Sequence, residues 1–226
     1  MALEYPHFLV NFKRYEGTAG EDGLGLARVI EIVVEETGAT FAVSPQTPDL
    51  RLFAERTELP IVAQAVDALE PGRGNGEIGI DAVDRAGADG LLVNHPESPA
   101  TMEEIEATLE RCRAIGLESI VCVSSLAGSR AVSAFGPDCL LLERPEDIAS
   151  DRAIPETHPG LLEDVVALAA ESEFRVLVGG GVSDASDVEA ALQAGADAAG
   201  ASSAFVEASD RRVWLEAIGE VLVDFA

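Results

Sequence analysis

Residues 174–203 read FRVLVGGGVSDASDVEAALQAGADAAGASS. The apolar run Val176-Leu177-Val178 stops at three consecutive glycines, Gly179, Gly180 and Gly181, and a helical pattern opens near Ser183-Asp184. A second short stretch, 197–201, then ends on Ser202-Ser203. Strand, loop, helix and strand within about 30 residues make a βαβ unit, whose strands lie parallel with the helix packed across them.

Outward from this stretch the same unit recurs. Strands are predicted near 8–12, 39–43, 60–64, 89–93, 119–123, 138–142, 174–178 and 197–201. The last of them, Asp197-Ala198-Ala199-Gly200-Ala201, has little β propensity and is placed by its spacing from the seventh. Apolar residues between strands repeat at i, i+3, i+4 and i+7, as in Leu26, Val29, Ile30 and Val33 or Leu161, Val165 and Leu168. Near-continuous apolar strands alternating with such helices imply a parallel sheet covered by helices. Eight units in 226 residues predict an α/β fold, a single (β/α)8 barrel of parallel strands spanning residues 1–226. An open doubly wound sheet is the rival, because nothing in the sequence fixes closure. No linker rich in Pro, Gly or Ser divides the chain.

Composition narrows the function. Lys+Arg number 15 against 41 Asp+Glu, a formal charge of −26, which excludes a nucleic-acid binder working through a basic face. With 47% hydrophobic and 25% charged residues, the chain builds a core and is no acidic disordered tail. The acids sit mostly at helical spacing, as in Glu31, Glu35 and Glu36, and so form solvated faces. Of the 15 basic residues 14 are arginine, and Lys13 is the one lysine. Such self-repulsion suits molar salt, where the Debye length is about 3 Å, and the expectation is a halophilic protein of a high-salt cytoplasm. Cys112, Cys122 and Cys139 fit no zinc spacing and leave an odd thiol, as expected in a reducing compartment. The opening residues Met1 to Pro6 carry no basic and apolar signal pattern, and no apolar run approaches the roughly 18 residues of a membrane helix. A cytoplasmic protein without membrane or nucleic-acid partners is expected.

In such barrels chemistry sits at the C-terminal ends of the strands. Strand one ends in Asn11-Phe12-Lys13, strand four in Asn94-His95-Pro96-Glu97, strand six in Glu143, strand seven in the triple glycine and strand eight in Ser202-Ser203. The glycines let main-chain N–H groups approach an anion, and with Ser202-Ser203 they make a phosphate cradle; the plainer reading is a tight turn with a serine cap. Glu143, after Leu140-Leu141-Leu142, is a candidate base at a partly desolvated rim, or else a solvated loop acid. His95 can donate to a carbonyl while neutral, or be structural. His7, which precedes its strand, and His158, in a Thr-His-Pro turn, fit structural roles. Lys13 puts a full positive charge at the rim of strand one, where a phosphate-bearing anion needs it in so acidic a chain.

Asn11-Phe12-Lys13, His95-Pro96-Glu97-Ser98, Glu143-Arg144-Pro145-Glu146, Gly179-Gly180-Gly181-Val182 and Ser202-Ser203, in this order, resemble the motifs of the triosephosphate isomerase family over the whole chain. The short length and Glu143-Arg144-Pro145-Glu146-Asp147-Ile148 resemble its compact archaeal branch. The resemblance implies a TIM barrel interconverting dihydroxyacetone phosphate and D-glyceraldehyde 3-phosphate through an enediolate, in glycolysis and gluconeogenesis, with no cofactor and no metal. It implies Glu143 as the base between C1 and C2, His95 as the neutral electrophile and Lys13 as the cation, with Asn11 beside it. Phosphate would be held near Gly181, Ser202, Ser203 and a lid around Ile148. It also implies that the loop Glu70-Pro71-Gly72-Arg73-Gly74-Asn75-Gly76-Glu77 docks into a neighbouring subunit, giving a homodimer or a homotetramer.

Three departures stand out. Ile148 is followed by Ala149-Ser150-Asp151-Arg152 where glycine and threonine are usual, Pro96 replaces a common serine, and Ala204 stands where a glycine commonly ends the last loop. Fold and cradle alone would also suit another phosphosugar-binding barrel, an epimerase or a lyase, although no metal-ligand set for one is seen. A non-catalytic phosphosugar sensor predicts a broken base or electrophile, and both are present.

Overall fold

A computed structural model of the chain describes residues 3–147 and 152–226. Its elements alternate as β1 (His7–Asn11), α1 (Gly20–Thr37), β2 (Phe41–Ser44), α2 (Leu50–Arg56), β3 (Val62–Ala63), α3 (Ile80–Ala86), β4 (Gly90–Val93), α4 (Met102–Ile115), β5 (Glu118–Val123), α5 (Leu126–Ser133), β6 (Cys139–Leu142), α6 (Ile154–Thr157), α7 (Pro159–Ser172), β7 (Arg175–Val178), α8 (Ala185–Gln193), β8 (Ala198–Ala201), α9 (Ser203–Glu207) and α10 (Arg211–Asp224). All registered pairs are parallel, in the order β2-β1-β8-β7-β6-β5-β4-β3. The two ends of that order meet. Val43 bridges Ile61 in parallel, and the Val43 N–H donates to the Pro60 carbonyl at 3.0 Å. The sheet is therefore a barrel and not an open doubly wound sheet.

The alternation of side chains along each strand produces two cores. Phe8, Val10, Leu91, Val93, Leu140, Leu142, Val176 and Val178 face the helices, whereas Leu9, Ala42, Val62, Leu92, Ile120, Cys122, Leu141, Leu177 and Ala198 fill the barrel. The small residues of β8 are a packing requirement. A Cβ on Gly200 would stand 2.8 Å from the Leu9 carbonyl oxygen, so close pairing with β1 selects against the β-branched residues that favour strands elsewhere. The helices bury a slightly different stripe from the expected one. Leu162, Val165 and Ala169 are the buried positions of α7, while Leu161 and Leu168 pack at its edge.

The end of the barrel away from the site is closed by a repeated device. Gly87-Ala88-Asp89, Gly136-Pro137-Asp138 and Gly195-Ala196-Asp197 lead into β4, β6 and β8, each glycine at positive φ. Each aspartate accepts an N–H at the start of the preceding strand: Ile61 to Asp89 at 2.9 Å, Ser119 to Asp138 at 2.8 Å, Val176 to Asp197 at 2.8 Å. Strand ends that would expose donors are thereby satisfied.

His7 does not precede its strand. It is the first residue of β1 and wholly buried, its Nδ1 3.0 Å from the Glu4 carbonyl, to which it must donate, and its Nε2 has no partner among the described residues. Burial pulls its pKa down to about 4. The unfolded chain therefore binds this proton near pH 6.5 while the folded chain does not, so stability is lost as pH falls from about 6.5 to 4, by up to about 3 kcal/mol. Denaturant unfolding in molar salt at pH 7 and pH 4.5 is expected to show a larger loss for the natural chain than for His7→Leu; equal losses would contradict this. The three cysteines are free and buried, and burial raises each thiol pKa. Among the described residues no helix is long and apolar enough to cross a membrane.

Candidate active site

The C-terminal ends of the strands surround a cavity of about 160 Å³ lined by Asn11, Lys13, His95, Glu143, the triple glycine, Ser202 and Ser203. Seven of the expected site residues, Asn11, Lys13, His95, Glu143, Gly181, Ser202 and Ser203, thus meet at one place. Ile148 lies outside the described residues.

Glu143 continues the inward phase of β6, after Cys139 and Leu141. It is 8% exposed, and its Oε2 lies 3.1 Å from Nε2 of His95, itself 6% exposed. The Glu97 N–H donates to Nδ1 of His95 at 3.1 Å. A ring nitrogen that accepts carries no hydrogen, so the imidazole in this arrangement is neutral with its N–H on Nε2, facing the cavity. That N–H is not aligned on Glu143, whose buried Oε2 has no hydrogen-bond donor among the described residues. An acceptor and a donor thus lie side by side without satisfying one another, ready for a third group.

Lys13 stands in the left-handed region, φ +42°, with its N–H donated to Asn11 Oδ1 at 3.0 Å. Its Nζ is 2.7 Å from Glu97 Oε2, and this hydrogen bond holds the Glu97 carboxyl below the usual carboxylate range. Gln64 fixes the turn from below. Its Nε2 reaches Asn11 Oδ1, the Lys13 carbonyl and the Ser44 carbonyl at 3.3, 3.4 and 3.2 Å. Glu97 and Gln64 carry no expected role, and the one signal for them in the sequence is their place at the ends of strands four and three.

Each glycine of the triple is required by a neighbour. A Cβ at Gly179 would meet Leu141 Cδ1 at 2.8 Å, one at Gly180 would meet Glu143 Cγ at 3.0 Å, and one at Gly181 would overlap the Arg152 carbonyl oxygen at 2.1 Å. Gly180 and Gly181 also have φ of +69° and +74°. The helix after this loop begins at Ala185, with Asp184 as its N-cap. Its first amides are already taken, because Asp184 accepts from the Ser186 and Asp187 N–H groups, and Asp187 accepts from the N–H and hydroxyl of Ser183. An anion is therefore left the glycine loop and the Ser202-Ser203 turn. Ser202 Oγ is buried there and has no partner among the described residues. His158 joins α6 to α7 and bonds Arg144, the neighbour of Glu143. No group of three or more His, Cys, Asp and Glu side chains among the described residues is placed to hold a metal ion.

The family model for triosephosphate isomerase matches residues 6–134. The chain belongs to the triosephosphate isomerase family. It is 36% identical over 216 residues to the triosephosphate isomerase of Methanocaldococcus jannaschii, covering 95% of this chain and 97% of that one. The Methanopyrus kandleri triosephosphate isomerase is 39% identical over 212 residues, covering 92% and 94%. The crystal structure of triosephosphate isomerase from Bartonella henselae shares the fold, with a TM-score of 0.72 at 16% identity over 97% of this chain and 98% of that one. Membership makes the chain an isomerase, and the epimerase, lyase and sensor alternatives are not favoured.

Proposed function

We propose that the chain interconverts dihydroxyacetone phosphate and D-glyceraldehyde 3-phosphate, with Glu143 removing a proton from one of the two carbons next to oxygen and returning it to the other. As the C–H pair moves into the carbonyl, negative charge develops on oxygen, and the Nε2–H of neutral His95 donates to it. Lys13 leaves Glu97 to neutralise the enediolate and phosphate, and Asn11 holds the Lys13 backbone. Gly181, Ser202 and Ser203 hold the phosphate. No step calls on a metal or a cofactor. The observation that carries this reading is the buried Glu143 Oε2, which has no hydrogen-bond donor among the described residues while lying 3.1 Å from His95 Nε2. A base without a hydrogen bond is free to take a proton, and exclusion of water protects the enediolate from losing phosphate.

The exposed loop 70–77 supports a homodimer or homotetramer, and a second cavity beside Lys13, lined by Arg14, Tyr15, Thr47, Gln64 and Glu97, is a place for a neighbour's loop. The charge of −26 and the 14 arginines support a high-salt cytoplasm as the working environment. Both readings and the activity are tested by one series: a coupled assay with glyceraldehyde 3-phosphate and excess chelator, with sedimentation and melting at the same salt concentrations. Activity from an oligomer is expected in molar salt. Lowering salt to about 0.01 M extends the screening length to about 30 Å and is expected to lower the melting temperature. No activity at any salt would overturn the function, a fully active monomer the assembly, and a constant melting temperature the salt reading.

A further inference from the structure

His95 reaches the site against the phase of its own strand. Along β4, Leu91 and Val93 face the helices and Leu92 fills the barrel. Continued alternation would turn residue 94 inward and residue 95 outward among the helices. Glu143 obeys the phase of β6, yet His95 Nε2 lies 3.1 Å from it, inside the mouth. The phase changes at Asn94, whose φ is +59°.

We propose that Asn94 is a positioning residue that turns His95 into the site and holds it there; this deepens, and rests on, the role given to His95 above. Asparagine is among the few residue types with a side chain that accept the left-handed region at low cost. Its side chain then replaces what the reversed backbone gives up. Val93 with Val121 is the last registered pair of β4 and β5, and one residue further on the Asn94 Nδ2 donates to the Cys122 carbonyl at 3.0 Å. The same side chain accepts, at Oδ1, the Ala100 N–H at 3.1 Å, which fixes the far end of the loop. Between those two ties the Ser98 N–H donates to the His95 carbonyl at 2.7 Å and the Glu97 N–H to His95 Nδ1. Asn94 therefore sets both the direction of the ring and the turn that leaves the hydrogen on Nε2. It does not line the catalytic cavity itself.

The test compares the natural chain, Asn94→Gly, Asn94→Val and His95→Gln in molar salt by kcat, KM, melting temperature and the 15N shifts of the His95 ring. Glycine keeps the left-handed backbone and loses both side-chain bonds, whereas valine also opposes the backbone. Displacing a catalytic group by about 1 Å can cost about 10²-fold, so kcat is expected to fall about tenfold in Asn94→Gly and about 10²-fold in Asn94→Val, with KM changed by less than about threefold because the phosphate loops are untouched. The ring nitrogens of Asn94→Gly are expected to show a mixture of tautomers where the natural chain shows one. Natural kcat and a single tautomer in Asn94→Gly would overturn the proposal even if Asn94→Val does not fold, as would a lowered melting temperature with kcat unchanged. An active natural chain whose His95→Gln variant is equally active would instead overturn the role of His95 itself.

Discussion

Replacing Glu143 by glutamine is expected to lower kcat by about three orders of magnitude or more, within reach of the 10²- to 10⁴-fold range of general base catalysis. The amide has nearly the shape of the carboxylate and fills the same space above Gly180, where Cγ of Glu143 leaves no room for a larger loop residue. It cannot take a proton from carbon. Binding should suffer far less, since the phosphate loops are separate, so the loss belongs in kcat and not in KM. Glu143→Asp, with its carboxylate drawn back by one methylene, is expected to fall between the two. Steady-state kinetics of the three proteins in molar salt check this, and near-natural kcat in Glu143→Gln would remove Glu143 as the base.

Lys13→Met is expected to lose about 10²- to 10³-fold in kcat/KM while keeping the fold. At about 4 Å and an effective dielectric near 20, a pair of unit charges is worth about 4 kcal/mol before desolvation, and in a chain of charge −26 the main-chain cradle offers only partial charges in its place. The structure adds a second reason. Nζ of Lys13 sits 2.7 Å from Glu97, so methionine would leave a carboxylate unneutralised beside the substrate anion. The sign of the pH effect follows: Lys13 holds the Glu97 pKa down, so in Lys13→Met Glu97 should titrate at higher pH than in the natural chain. Lys13→Arg should recover little, because a planar fork cannot take the place of a compact ammonium in a turn that Gln64 ties down at Asn11 Oδ1 and the Lys13 carbonyl. Near-natural kcat/KM in Lys13→Arg would show that any cation suffices.

Much of the fold was legible because apolar runs and amphipathic helices report burial directly. All eight strands lie where the periodicity placed them, even Ala198–Ala201, whose composition argued against a strand until its contact with Leu9 explained it. Closure was not legible, because it rests on the single bridge between Val43 and Ile61 next to the two-residue β3. The site was legible where strand phase carries a side chain inward, as for Asn11 and Glu143. It was obscured where local backbone overrides that phase. His95 points inward only because of the left-handed Asn94, and Asn11 and Lys13 are tied down by Gln64, a residue distant in sequence. The anion site was half read. The glycines were seen as an approach for phosphate, but sequence alone did not show that Asp184 already caps the helix behind them or that Gly181 makes room for the Arg152 carbonyl.

The proton transfer itself is open to direct observation. Glyceraldehyde 3-phosphate turned over in D2O, in molar salt with excess chelator, should give dihydroxyacetone phosphate in which part of the hydrogen at C1 is solvent deuterium, because the proton held by Glu143 exchanges before it is returned. The deuterium content of that carbon, read by NMR, is the decisive quantity. Partial labelling by the natural chain, with labelling and turnover lost together in Glu143→Gln, is the expected result. Product formed at the natural rate by Glu143→Gln, whether or not it carries solvent deuterium, would contradict a carboxylate base at Glu143.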